Sequence, residues 1–175
     1  MDHQTTSSAD HSRSQQFPEQ LKLDNQLCFL LYSSSRAMTK LYRPLLNELG
    51  LTYPQYLVML VLWQSASESK VCSIGDLCEA LYLDTGTLTP LLKRLEQSHW
   101  ISRQRASDDE RRVDVHLTEQ GLSLQKSAES IPEQMLCRAQ AVVADESLNA
   151  DLNAVADKKQ LMQSLKSLLT LLHKV

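Results

Sequence analysis

Glycine and proline are scarce in this chain of 175 residues, at four and five copies, and aromatic residues make up only 5%. With leucine abundant, that scarcity favours a mostly helical protein. No apolar run approaches the ~18 residues needed to span a bilayer, so no membrane association is expected. The segment Met1 to Gln20 is rich in Ser, Gln, Asp and His and lacks an apolar stretch. It is therefore read as a disordered tail and not as a signal peptide, and a cytoplasmic location is expected. The four cysteines, Cys28, Cys72, Cys78 and Cys137, contain no CxxC pair. No paired histidines support them as metal ligands either. They are read as reduced thiols, and no metal or cofactor is expected. There is no excess of basic residues, since the formal charge is −3. That excludes a protein that coats nucleic acid indiscriminately. It does not exclude a specific DNA binder whose basic residues cluster on one face.

Apolar residues recur three or four apart from Leu23 towards Leu49, through Leu27, Leu30, Leu31, Met38, Leu41 and Leu45, which predicts a first long helix. Pro44 is expected to bend or divide it, and Gly50 suits the residue just beyond its end. Thr52-Tyr53-Pro54-Gln55 has the spacing of a capping box. It opens a second helix, apolar nearly all round from Tyr56 to Trp63 and hence buried, before a polar loop over Ser65 to Lys70. Ser73-Ile74-Gly75-Asp76 opens a short third helix to about Leu81, and a fourth runs from about Thr85 to Ser98. The period then changes to alternation in Ile101–Arg105 and Arg112–Leu117, two strands joined by a charged tip. Thr118 caps a further helix that Pro132 interrupts. A last amphipathic helix carries Leu161, Leu165, Leu168 and Leu172 as one stripe, with Met162 and Leu169 beside it. The order predicts a mainly α fold, a winged helix-turn-helix flanked by long helices.

The fourth helix has the two sides that a major-groove reader needs. Leu88, Leu91, Leu92 and Leu95 face inward, while Thr85, Thr87, Thr89, Lys93, Arg94 and Gln97 are available to bases and phosphates. The hairpin holds Arg111 and Arg112 at its tip and Arg103 and Arg105 on the adjacent strand. An arginine projected from such a tip suits the negative potential of a narrow minor groove. Asp109 is expected either to pair with a nearby Arg or Lys and fix the wing, or to serve as a plain turn residue. Double-stranded DNA is the expected partner.

Asp109-Glu110-Arg111 followed by Val113, Val115, Leu117-Thr118 and Gly121 resembles the wing signature of the MarR family. The resemblance covers roughly Leu21 to Cys137. It implies a triangular, all-α homodimer with winged domains at two corners and inter-subunit contacts from the N- and C-terminal helices. The implied division is a tail over 1–20, a dimerisation and sensing helix over 21–52, a DNA-binding domain over 53–120 and dimerisation helices over 121–175. Where the family often has Gly after the recognition helix, this chain has Ser98-His99-Trp100. Histidine tolerates a left-handed backbone better than most residues.

Cys28 sits on the first helix, where a free cysteine is ordinarily a small buried hydrophobe. Tyr42 and Tyr53 supply phenol donors that would favour a thiolate, and Leu57, Met59 and Leu60 supply apolar walls. Such a thiolate suits attack on a hydroperoxide with an organic tail. The runs Leu23 to Cys28, Lys40 to Arg43, Leu51 to Tyr56 and Tyr82 to Leu95 are similar to the OhrR subgroup of organic hydroperoxide sensors. That resemblance implies a repressor in which Cys28 is oxidised by an organic hydroperoxide and operator DNA is released. It implies Tyr42 and Tyr53 as hydrogen-bond partners of Cys28, contributed across the dimer. It also implies Cys137 as the resolving cysteine of the two-Cys type, with Cys72 and Cys78 structural or incidental. Two other readings use the same residues. One is a MarR-type regulator that answers to a non-covalent ligand, such as a phenolic acid, in the same cleft. The other is a thiol peroxidase, an enzyme to which a basic wing would contribute nothing.

Overall fold

The computed structural model describes residues 18–143 and 158–173. Most of the tail expected over 1–20 therefore lies outside the described residues. Two compact units divide the chain, 1–38 and 39–175.

In the first unit, 3-10 turns at Glu19–Leu21 and Leu23–Asn25 precede helix α1 (Leu27–Glu48), which continues into the second unit. The helix starts four residues later than its apolar period predicts. The reason is local competition for carbonyls. The Asn25 amide donates to Glu19 O at 2.8 Å, and the Gln26 amide donates to Gln20 O at 2.6 Å and Lys22 O at 3.1 Å. Leu27, Leu30, Tyr32 and Met38 are exposed on this unit, as is Cys28.

In the second unit α1 runs unbroken through Pro44 to Glu48. Proline removes one helical hydrogen bond and clashes with the preceding turn, costing about 3 kcal/mol. Leu45 and Leu46 follow it directly and are almost wholly buried. At about 1.5–3 kcal/mol per buried leucine, that burial offsets the proline. The helix ends at Gly50, φ +68°, with Leu51 N–H donating to Leu46 O at 3.0 Å and Gly50 N–H to Asn47 O at 3.1 Å.

Helix α2 (Tyr53–Ser67) follows, and Gln55 Oε1 accepts from the Thr52 N–H at 2.9 Å and the Thr52 hydroxyl at 2.8 Å. Its residues Val58, Met59, Leu62 and Trp63 are buried, although Leu60 is exposed. Strand β1 (Cys72–Ser73) comes next, then α3 (Ile74–Leu81), α4 (Thr85–Gln97), β2 (Ile101–Arg105), β3 (Val113–Leu117), α5 (Glu119–Ala128), α6 (Ile131–Val143) and α7 (Lys158–Leu172). The sheet has the order β1-β3-β2 and is antiparallel throughout, with Val115 between Cys72 and Arg103. Two residues are too few to show alternation, so the pairing that defines β1 is absent from the sequence pattern. Pro132 occupies the permissive first turn of α6, which places Cys137 well inside a regular helix.

Leu46, Val58, Met59, Leu77, Leu88, Leu92, Leu95 and Ile101 form the deepest part of the core. Around it, α3, the turn Tyr82–Asp84, α4 and the β2–β3 hairpin make a winged helix-turn-helix. The expected boundary at 52 falls inside this unit, because the end of α1 contributes Leu45 and Leu46 to its core. On α7 the expected stripe remains exposed at Leu161, Leu165 and Leu172, as do Met162 and Leu169. The polar stretch near Ala144 to Asn149 lies outside the described residues. Among the described residues no helix is long and apolar enough to cross a membrane, and no group of three or more His, Cys, Asp or Glu could hold a metal ion.

Candidate nucleic-acid interface and thiols

Helix α4 begins at Asp84, whose carboxylate accepts from the Thr87 N–H at 2.8 Å and from the Thr87 hydroxyl at 2.8 Å. Those bonds, the hydroxyl first, hold the Asp84 carboxyl below the usual carboxylate range. Leu88, Leu92 and Leu95 are fully buried, which turns Thr85, Thr87, Thr89, Lys93, Arg94 and Gln97 outward. The threonine hydroxyls are engaged within the domain. Thr89 donates to Thr85 O at 2.7 Å, and Thr85 Oγ1 lies 3.8 Å from Cys78 Sγ. Lys93 and Arg94 make no ion pair among the described residues. The helix closes in the left-handed region even though His99 stands where the family often has Gly. His99 takes φ 59°, and Trp100 N–H donates to Leu95 O at 3.0 Å.

The arginines of the wing divide into braces and free cations. Arg103 reaches back to α4, its Nε donating to Glu96 Oε2 at 3.0 Å and its backbone N–H to Glu96 Oε1 at 3.1 Å. Arg112 donates to Asp108 Oδ1 at 2.8 Å and, through Nε, to the buried Asp114 at 3.0 Å. The ion pair expected of Asp109 thus falls to its neighbour Asp108. Asp109 accepts the Arg111 backbone N–H at 2.9 Å and makes no ion pair among the described residues, the behaviour of a plain turn residue. Arg112 spans the gap between Asp114, two residues on, and Asp108, four residues back, while the Asp109 carboxylate is turned to the Arg111 backbone. Arg105 and Arg111 are exposed and unpaired among the described residues. Sequence reasoning missed Glu96, Asp108 and Asp114, although they lie only 7, 4 and 2 residues from their arginines, because only the folded hairpin shows which of the neighbouring charges meet.

The two adjacent arginines should therefore behave differently. Arg112→Ala leaves the carboxylate of Asp114 buried without its partner, so a lower melting temperature is expected. Arg111→Ala should melt with the parent. Thermal unfolding by circular dichroism separates them, and equal losses in both variants would refute the division.

The cysteines fall in unlike surroundings. Cys28 on the first unit and Cys137 on α6 are exposed, Cys72 is buried and Cys78 half-buried, and all four are free. Burial pushes the Cys72 thiol up, a hydrogen bond with Ser65 opposes the shift, and Asp76 and Asp114 add to it, so the thiolate is disfavoured there. Tyr42 and Tyr53 come together in the second unit with ring centroids 5.1 Å apart. Tyr56 joins them at 6.0 Å from Tyr42, a third ring that the apolar run of α2 conceals in the sequence. Burial raises the Tyr42 and Tyr56 phenols, which keeps both protonated and able to donate.

The family model for the transcriptional regulators SarA/Rot matches residues 40–127. The organic hydroperoxide resistance transcriptional regulator of Bacillus subtilis strain 168 is 46% identical over 155 residues, covering 89% of this chain and 95% of its own. The crystal structure of AbfR of Staphylococcus epidermidis is 37% identical and covers 86% of this chain and 96% of its own, with a TM-score of 0.59. A structure of reduced AbfR bound to DNA covers 80% of this chain and 99% of its own at 36% identity, with a TM-score of 0.58. The chain belongs to the MarR family of winged-helix transcriptional regulators, within its OhrR group.

Proposed function

We propose that the chain is a cytoplasmic homodimeric repressor, not an enzyme, that releases operator DNA when an organic hydroperoxide oxidises Cys28. The observation that carries this reading is the likeness, along nearly the whole chain, to a regulator named for organic hydroperoxide resistance. The geometry supports it in three ways. Lys93, Arg94, Arg105 and Arg111 are exposed cations without partners among the described residues, on the two elements that a winged helix-turn-helix presents to a duplex. Cys28 and Cys137 are exposed, as attack on an oxidant and its resolution both require. The apolar stripe left open on α7 suits a second copy of the chain.

In this reading Thr85, Thr87 and Thr89 face base edges, Lys93 and Arg94 hold phosphates, and Arg111 enters the minor groove. Tyr42 and Tyr53 donate to the Cys28 thiolate, and Cys137 resolves its oxidised form. A dimer should cover a pseudo-palindrome with half-sites about one helical turn apart. Arg111→Ala should weaken binding by roughly 1–3 kcal/mol, as loss of a specific contact does. An unchanged affinity and salt slope in that variant would remove the wing from the interface.

The test of the whole reading is a DNA titration of the reduced protein before and after an alkyl hydroperoxide, with mass spectrometry of each cysteine. Loss of binding with oxidation at Cys28 is expected. Induction by a phenolic acid that persists in Cys28→Ser would favour the non-covalent reading. Steady consumption of peroxide with a dithiol reductant would favour the peroxidase.

A further inference from the structure

We infer that Thr87 and Thr89 act on DNA only as hydrogen-bond acceptors, so that α4 selects bases by the exocyclic amino groups of adenine or cytosine in the major groove. The inference rests on the proposed role of α4 as the reading helix. A threonine hydroxyl is ordinarily ambiguous, able to donate its proton or to accept. Here the structure removes the choice.

The Thr87 hydroxyl lies 2.8 Å from Asp84 Oδ2, and an ionised carboxylate has no proton to give, so Thr87 is the donor. This bond is the largest of those that lower the Asp84 carboxyl, so the acceptor is ionised at neutral pH. Thr89 Oγ1 lies 2.7 Å from Thr85 O, and a backbone carbonyl can only accept. Each hydroxyl therefore has its single proton committed inside the domain and only lone pairs left to offer. Both residues are exposed on the outward face of α4.

In the major groove the only donors are the N6 amino group of adenine and the N4 amino group of cytosine, which sit at different places across the base pair. Guanine N7 and O6 and thymine O4 are acceptors, and against an acceptor-only hydroxyl they leave two lone-pair atoms facing each other. The selectivity therefore comes from the partners behind the hydroxyls, Asp84 and the Thr85 carbonyl, and not from threonine as a residue type.

The probe is a duplex selected from a random pool by the reduced protein. Each adenine of one half-site is replaced in turn by 2-aminopurine, and each cytosine by pyrimidin-2-one, which remove the major-groove amino group. Each purine is separately replaced by its 7-deaza analogue, which removes an acceptor and keeps the amino group. Loss of one amino group read by Thr87 or Thr89 should weaken binding about fivefold, the worth of one neutral hydrogen bond. In Thr87→Val or Thr89→Val that sensitivity should vanish at one position, while Thr87→Ser should keep it. If Thr87→Val does not fold, the Thr87→Ser and Thr89→Val arms carry the test. Sensitivity to 7-deaza substitution that a Thr→Val change abolishes would mean that the hydroxyl donates, and would overturn the inference. The same follows if no analogue position couples to either threonine. Failure of the underlying reading looks different, because then no duplex is selected at all, or Lys93→Ala, Arg94→Ala and Arg111→Ala bind the selected duplex as the parent does.

Discussion

A Cys28→Ser variant is expected to hold its operator at hydroperoxide concentrations that strip DNA from the parent protein. In the proposed reaction the Cys28 thiolate attacks the hydroxyl oxygen of ROOH. The S–O bond forms, the O–O bond breaks, and the leaving alkoxide takes a proton to become ROH. The thiol of Cys137 then attacks the sulfenic sulfur, giving a disulfide and water. Coupling energies between sites in regulators amount to factors of about 5 to 150 in affinity, and oxidation of the parent should lower operator affinity by a factor in that range. Serine keeps the size of the side chain but cannot form a sulfenic acid, so the variant should show no release. A disulfide requires Cα atoms within about 7 Å, so joining Cys28 to Cys137 of a partner subunit would draw the two segments together and shift the reading heads. Non-reducing electrophoresis after hydroperoxide should show a crosslinked dimer that is absent in both Cys28→Ser and Cys137→Ser. It should persist in Cys72→Ser and Cys78→Ser. Release of DNA from oxidised Cys28→Ser would end the sensing assignment. A small-thiol adduct on Cys28 with no crosslink would leave Cys28 as the sensor and remove Cys137 from the switch.

Gly121→Ala should cost the fold about 3 kcal/mol or more, the upper end of what overpacking a core typically costs. A Cβ on Gly121 would lie 2.0 Å from Trp100 O and 3.0 Å from Trp100 C, both backbone atoms that no rotamer change can move. Relief requires the first turn of α5 to separate from the α4–β2 connection, and that contact is bonded at several points. Gly121 N–H donates to Thr118 Oγ1 at 3.0 Å, the Thr118 hydroxyl donates to His99 O at 2.6 Å, and Thr118 N–H donates to Trp100 O at 3.1 Å. On the far side, Trp63 Nε1 donates to Gly121 O at 2.9 Å from within the core. At roughly 2–4 °C per kcal/mol for a chain of this size, the melting temperature should fall by about 6–12 °C. A melting temperature indistinguishable from the parent would show that the connection yields without strain. The same geometry explains why the wing signature ends in glycine. The strand hands over to α5 directly beneath the backbone of the segment that leaves α4.

Local rules acting on neighbouring residues were enough to determine most of the elements. Ser73-Ile74-Gly75-Asp76 made a helix start legible, because a capping bond needs only residues three apart. Leu88, Leu92 and Leu95 made the inward face of α4 legible, because burial follows helical period. The wing motif and the runs around Cys28 and Tyr53 pointed to the regulator family for the same reason, being contiguous. The folded structure alone decided which of several candidate neighbours each side chain meets. It showed that Pro44 is tolerated where two buried leucines follow it, and that Cys72 and Ser73 pair with β3. It also assigned Arg103 and Arg112 as braces while leaving Arg105 and Arg111 free. In the sequence those four arginines are alike, since charge and exposure do not depend on which carboxylate lies across the turn. The direction of the Thr87 and Thr89 protons belongs with them. A hydroxyl has no polarity of its own until an acceptor is placed beside it, and only the folded start of α4 brings Asp84 and the Thr85 carbonyl there.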